Sequence, residues 1–161
     1  MTPDTRNRIG AGLLAAAFAF LIGAITIASL SEQKSSADPD DSQQVVRGKS
    51  VYARYCAACH GVRLEGQANW KERLPNGRLP APPHDASGHT WHHPDAVLFG
   101  MTKHGIVPGK YAPPMYQSDM PAFSRVLAEE EIWAVLAYIK SSWPQEIRKT
   151  QHEITLAQVR R

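Results

Sequence analysis

The chain has 161 residues and only two cysteines, with charged residues at 20% and aromatics at 8%. The cysteine count excludes a disulfide-stapled scaffold, and the composition excludes wholesale disorder. The net charge of +3 is small, and no basic stripe with interleaved aromatics marks a nucleic-acid surface, so no nucleic-acid partner is expected.

A mean hydropathy of -0.35 averages two unlike parts. Residues 1–8 carry Arg6 and Arg8, and Ile9 to Leu30 is a run of 22 residues without a charge. As a helix that run spans about 33 Å, against ~30 Å for a bilayer core. A positive flank stays in the cytoplasm, so the remainder is sent outward. We therefore expect a transmembrane anchor at 9–30, with residues 1–8 cytoplasmic. A removable signal peptide is the alternative, because small residues precede possible cleavage points after Ala28 and after Ala37. Beyond residue 30 there are 131 residues, enough for one domain and too few for two.

Residues 31–44 are polar and acidic, with Glu32, Asp38, Asp40 and Asp41 against Lys34 alone, and read as a flexible linker. The folded domain is expected at 45–144. Asp41 and Ser42 are helix-capping types. After them Val45, Gly48, Tyr52, Tyr55 and Cys59 recur at alternating steps of 3 and 4, one face of a helix. A second helix is expected from Pro94, with Val97, Leu98 and Met101 inward and Gly105 at its end. A third runs from about Glu129 to Ser142 with the stripe Ile132, Val135, Leu136 and Ile139. Its N-cap would be Ala128, a poor choice, so a start at Ser124 is the alternative. The charged segment 145–161 is a tail, either packed as a helix or mobile. Between the helices lie long proline-rich loops without strand alternation, and loops of that length are usually functional. The expected class is all-α, a small helical domain with little core of its own and something to wrap around.

Cys56-Ala57-Ala58-Cys59-His60 supplies that something. The C-x-x-C-H pattern reads as a c-type haem attachment. Two thiols one helical turn apart each add to a vinyl group, and the following His60 lies beneath the macrocycle with a ring nitrogen in reach of iron. A thioredoxin-like pair needs a βαβ context that is absent. A zinc site needs two further ligands, for which His84, His89, His92, His93 and His104 are candidates. The sixth iron position has three candidate methionines. Met101 reads as core, while Met115 and Met120 share the long loop, and Pro121 stiffens the presentation of Met120.

Gly48-x-x-x-Tyr52-x-x-x-Cys56-Ala57-Ala58-Cys59-His60-Gly61, then Met120-Pro121-Ala122-Phe123, then Ile132 to Lys140, together resemble a class I monohaem cytochrome c. The resemblance covers about Val45 to Trp143. It implies a few helices around one covalent haem c, held through Cys56 and Cys59, with His60 and Met120 as the axial pair. It implies that Gly48 and Tyr138 mark where the first and last helices cross, and that a carbonyl of Pro82 or Pro83 accepts a bond from the axial histidine. The insert from Gly66 to His93 is longer and richer in histidine than in simple members of the family. Within it, Trp91, or His92 or His93, is a candidate donor to a haem propionate, and a copper or zinc site among His84, His89, His92 and His93 is an alternative use.

The function expected is that of a membrane-tethered electron carrier, not an enzyme, in a bacterial cytoplasmic membrane with its haem domain on the outer, periplasmic side. Its partners would be redox proteins: a quinol-oxidising complex, an oxidase or a dehydrogenase. A haem enzyme, or a sensor or accessory subunit with a displaceable sixth ligand, is the alternative.

Overall fold

The computed structural model describes residues 35–160. The anchor or signal peptide expected at 9–30 lies outside them. Among the described residues, no helix is long and apolar enough to cross a membrane.

Among the described residues the secondary structure is helical, with one isolated bridge, Pro108 to Ala112. Helix α1 spans Ser42–Tyr55 and opens on Asp41, whose carboxylate accepts the N–H groups of Gln43 and Gln44. It breaks at Cys56, and a separate turn, α2, spans Ala57–His60. A 3-10 turn covers Thr90–His92. Helix α3 spans Asp95–His104, α4 spans Glu129–Ser141 and α5 spans Gln145–Val159.

The core forms where α1 crosses α4. Ile132, Val135, Leu136 and Ile139 are all buried, as their spacing predicts, together with Val51 and Tyr52 from α1. Each such aliphatic side chain contributes about 1.5–3 kcal/mol by leaving water. The crossing is close because Gly48 has no side chain. A Cβ there would overlap the Ala134 carbonyl and stand 2.9 Å from Cβ of Tyr138. On the far side of α4, Trp133 stacks on Phe99 of α3, with ring centroids 4.3 Å apart.

The start of α4 is where its periodicity puts it, at Glu129, and not at Ser124. Residues 124–126 form a turn, with Val126 and Leu127 donating to the Phe123 carbonyl. Ala128 is the N-cap and has no side-chain oxygen to offer. Glu131 compensates by reaching back to the Ala128 N–H at 2.9 Å, and Glu129 and Glu130 add negative charge at the positive helix end.

One boundary differs from the sequence reading, and one alternative left open there is resolved. The second half of the 31–44 linker is folded. Ala37 is buried in the core, and Gln44 clamps the segment by donating to the Ser36 carbonyl and accepting from the Asp38 N–H, each at 2.8 Å. Segment 145–161 resolves to a packed helix through residue 159. Gln151 of α5 is 0% exposed, and its amide donates to Asp95, Thr155 and the His93 carbonyl. Lys140, 6% exposed, bridges both Asp95 carboxylate oxygens at 2.9 Å. Arg148 pairs with Asp40 at 2.8 Å. These polar ties join α5 to α3, α4 and the segment before α1.

Candidate haem site

The break after α1 determines how the two cysteines are presented. Cys56 lies at the end of the helix, half-buried, and Cys59 lies on α2, exposed. Cys59 therefore leaves the buried face that its spacing from Val45 suggests. Both are free thiols. Burial, and then the nearby Cys59, push the Cys56 thiol up to about 11, so it is protonated at neutral pH.

His60 ends α2, and its Nδ1 stands 2.8 Å from the Pro82 carbonyl oxygen. A carbonyl only accepts, so Nδ1 carries the proton and Nε2 keeps its lone pair. Of the two prolines named from the sequence, the bond goes to Pro82, while Pro83 is buried beside Gly66 and Gly88. Burial lowers the His60 pKa, partly offset by the Pro82 bond. The Tyr52 hydroxyl donates to the carbonyls of Gly61 (2.9 Å) and His60 (3.2 Å), so α1 holds the turn that carries the motif. Burial raises the Tyr52 pKa far above the ordinary tyrosine value.

The ring of His84 lies flat on that of His60, with centroids 3.9 Å apart and planes 21° apart. Its Nδ1 pairs with the Thr90 hydroxyl at 2.7 Å. Burial, and then His60, hold His84 well below the usual histidine range, so it is neutral at pH 7.

The candidate methionines separate by burial. Met115 is 92% exposed and its backbone is left-handed, with φ of 69°. Met120 is half-buried and packs on the core. Its N–H donates to Ser118 Oγ at 3.1 Å. The chain beyond it is stitched to the last turn of α3: Phe123 donates to the Thr102 carbonyl and Ser124 to that of Lys103. Tyr111 of the same loop covers Gly100 of α3.

Trp91 does not have a free N–H for a propionate. Its indole donates to the Ala86 carbonyl at 3.3 Å, and its ring stacks on His92 at 3.7 Å. An indole at this depth takes the nearest carbonyl, which an insert folded back on itself provides. His89 packs against both His92 and His93, with centroids 4.9 Å apart in each case. These are ring contacts. Among the described residues, no group of three or more His, Cys, Asp or Glu side chains is placed to hold a metal ion, so the zinc and copper readings of the insert find no ligand set there.

The donor set fits a haem: two free thiols at C-x-x-C spacing, an imidazole with Nε2 available, and a thioether on a half-buried loop. Tyr55, Phe99, Met101 and Met120 pack on the core while remaining only partly buried, apolar surface that an apolar ligand would cover. Comparison with known families agrees, because the model of the family described as Cytochrome c matches residues 45–143, more than half of the chain.

The chain belongs to the cytochrome c family.

No curated protein and no solved structure matches it. Cytochrome c domains bind haem c and carry electrons through it, and Cys56 and Cys59 stand at the spacing used for covalent attachment. The matched region of this cytochrome c stops at Trp143, so α5 lies beyond it. Sequence reasoning missed three features of the site: the His84 stack on His60, the Trp143 indole that donates to the His84 carbonyl at 2.8 Å, and the buried Lys140–Asp95 pair. Each joins residues far apart in the chain, where periodicity gives no signal.

Proposed function

We propose that this cytochrome c is a membrane-tethered carrier of single electrons, with His60 and Met120 as the axial ligands of one haem c. Bound through Cys56 and Cys59, haem supplies an Fe(II)/Fe(III) couple. The chain's own residues hold the ligands, exclude water and set the potential; methionine opposite histidine raises it. The observation that carries the ligand assignment is the His60 Nδ1 bond to Pro82, which leaves Nε2 as the only ring nitrogen able to reach a metal. The contrast between half-buried Met120 and exposed Met115 supports Met120.

The tether rests on the uncharged run at 9–30 behind Arg6 and Arg8. It would confine the domain to the outer face of a bacterial cytoplasmic membrane and raise its effective concentration near a quinol-oxidising complex, an oxidase or a dehydrogenase. The linker is shorter than composition suggests, because residues 36–44 are folded against the domain.

Absorption spectra of the purified full chain, oxidised and reduced and as the pyridine haemochrome, test the site. One covalent haem per chain, with the methionine band in the oxidised form, is the expected result. Rapid stoichiometric carbon monoxide binding to the reduced protein at neutral pH would replace the carrier reading with an enzyme or sensor. Fractionation tests the tether: the chain should need detergent for release, and a processed, freely soluble form would overturn it.

A further inference from the structure

We propose that His84 is a positioning residue that sets the rotational orientation of the axial imidazole of His60, an inference that rests on the haem reading above. The Pro82 bond holds His60 by one ring atom. It fixes the tautomer and restrains the ring along one edge, while the two faces of the ring are left to their neighbours. A flat partner on one face narrows the remaining range of tilt. His84 supplies that partner, at 3.9 Å and 21°. Pro82 and His84 are two residues apart, so one short strand of chain grips the imidazole by edge and by face.

The partner is itself anchored at three points. Its N–H donates to the Leu64 carbonyl at 2.8 Å. Its carbonyl accepts from the buried Trp143 indole at 2.8 Å. Its ring Nδ1 meets the hydroxyl of buried Thr90 at 2.7 Å. Leu64 is buried and left-handed, with φ of 70°, a conformation uncommon outside glycine. That backbone aims the Leu64 carbonyl at both the His84 and Asp85 N–H groups. The ring of Tyr52 closes the group edge-on, 6.2 Å from His84. Residues around a metal-bound histidine fix its plane and its basicity. Here the plane is fixed by a second imidazole drawn from the long insert, and Thr90 and Trp143 hold that imidazole in place.

In a ferric low-spin haem held by an imidazole and a thioether, the direction of the imidazole plane and that of the thioether lone pair together distribute unpaired spin among the four ring methyl groups, so a change confined to the histidine side reaches their NMR shifts through the imidazole plane. The test uses the full-length holoprotein, native and in the variants His84→Leu, His84→Phe and Thr90→Val. In the ferrous, diamagnetic native protein, ring protons of His60 and His84 should show a nuclear Overhauser effect. In the ferric proteins, His84→Leu should redistribute the methyl shifts, and His84→Phe, which keeps a flat ring, should stay closer to the native pattern. Thr90→Val, which keeps the His84 ring and frees it, should shift the pattern in the same sense as His84→Leu but less. Covalent haem content should be unchanged throughout, a readout that separates reorientation from loss of structure. The inference is overturned if the native Overhauser effect is absent, or if the His84→Leu pattern superimposes on the native one. Should His84→Leu fail to fold, a native pattern in Thr90→Val overturns it equally. A native chain without covalent haem overturns the haem reading instead, which keeps the two failures distinct.

Discussion

His60 and Met120 are presented by parts of the molecule that differ in construction. His60 stands on a short turn joined directly to α1, with Pro82 on its Nδ1, His84 on its ring face and the Tyr52 hydroxyl on its carbonyl. Met120 stands on a loop. Its own N–H is satisfied two residues away by Ser118, and the backbone bonds to α3 begin at Phe123. One side is built from contacts distant in sequence, the other mostly from its own loop. Changes on the histidine side should therefore cost stability, and should reach ligation only where they disturb the hold on the ring itself. Changes on the methionine side should alter ligation while the fold survives.

The largest effect should come from the crossing that supports the histidine side. Gly48→Val places side-chain atoms against the Ala134 carbonyl, which is helix backbone and has nowhere to move. We expect a loss of about 3 kcal/mol or more, read by urea denaturation, with haem attachment impaired as well. Next is Met120→Ala, on the other side. It should leave a folded, haem-bearing protein that gains stoichiometric carbon monoxide binding and a lower reduction potential. Met115→Ala, at an exposed position, should keep the native spectrum; the reverse outcome would exchange the two methionines.

Tyr52→Phe keeps the buried ring and removes one hydroxyl, leaving the Gly61 and His60 carbonyls without that donor. The expected cost is about 1–3 kcal/mol by thermal or urea unfolding. Ligation should be retained, because the Pro82 bond is independent of Tyr52. A loss of the methionine band in this variant would show that the two sides are mechanically coupled.

The contrast between the sides also explains what the sequence made legible. The α4 stripe is a periodic signal, and the structure buries it as read; the glycine at the crossing, implied by the family resemblance, lies where α1 meets α4; the C-x-x-C-H motif is a local signal, although Cys59 leaves the face its spacing suggests. The polar ties are neither. Lys140 lies on the α4 surface in any helical reading, and only the arrival of Asp95 from α3 and Gln151 from α5 makes it a buried ion pair. Met115 and Met120 share one loop; Pro121 and the family resemblance favour Met120 in the sequence, and the folded loop adds a difference in burial. The contact of the Trp91 indole with the Ala86 carbonyl is likewise invisible in the sequence, which does not say that Ala86 folds back within reach of it.

The histidines of the insert give a pH test away from the ligands. Burial, then His89 and then His92 lower the pKa of His93, and burial and then His92 lower that of His89. A histidine depressed in the folded state favours folding above its unfolded value, about 6.5. That contribution is lost as pH falls below 6.5 and through the folded values. Stability measured from pH 7 to pH 5 should therefore decline, and His89→Gln should flatten the decline by removing one crowded charge. An unchanged slope would assign the acid sensitivity elsewhere.

The smallest effect expected is at the link between the insert and the methionine loop. Arg78 pairs with Asp119, the residue before Met120, and the Arg73 guanidinium lies 6.0 Å from the Tyr116 ring centroid. Both partners of the ion pair are more than a third exposed, at 39% and 61% of their side-chain surface. Water and salt screen such a pair, so Arg78→Ala should cost only about 0–1 kcal/mol of global stability. The local effect is another matter, because a loop with few other ties opens at a free energy well below that of the whole fold. If the pair restrains the loop, Arg78→Ala should speed carbon monoxide entry into the reduced protein, and high salt should do the same to the native chain. The effect should be absent in His60-side variants such as Tyr52→Phe. Equal entry rates in native and Arg78→Ala proteins at low salt would mean that packing of Met120 on the core, rather than the ion pair, holds the loop closed.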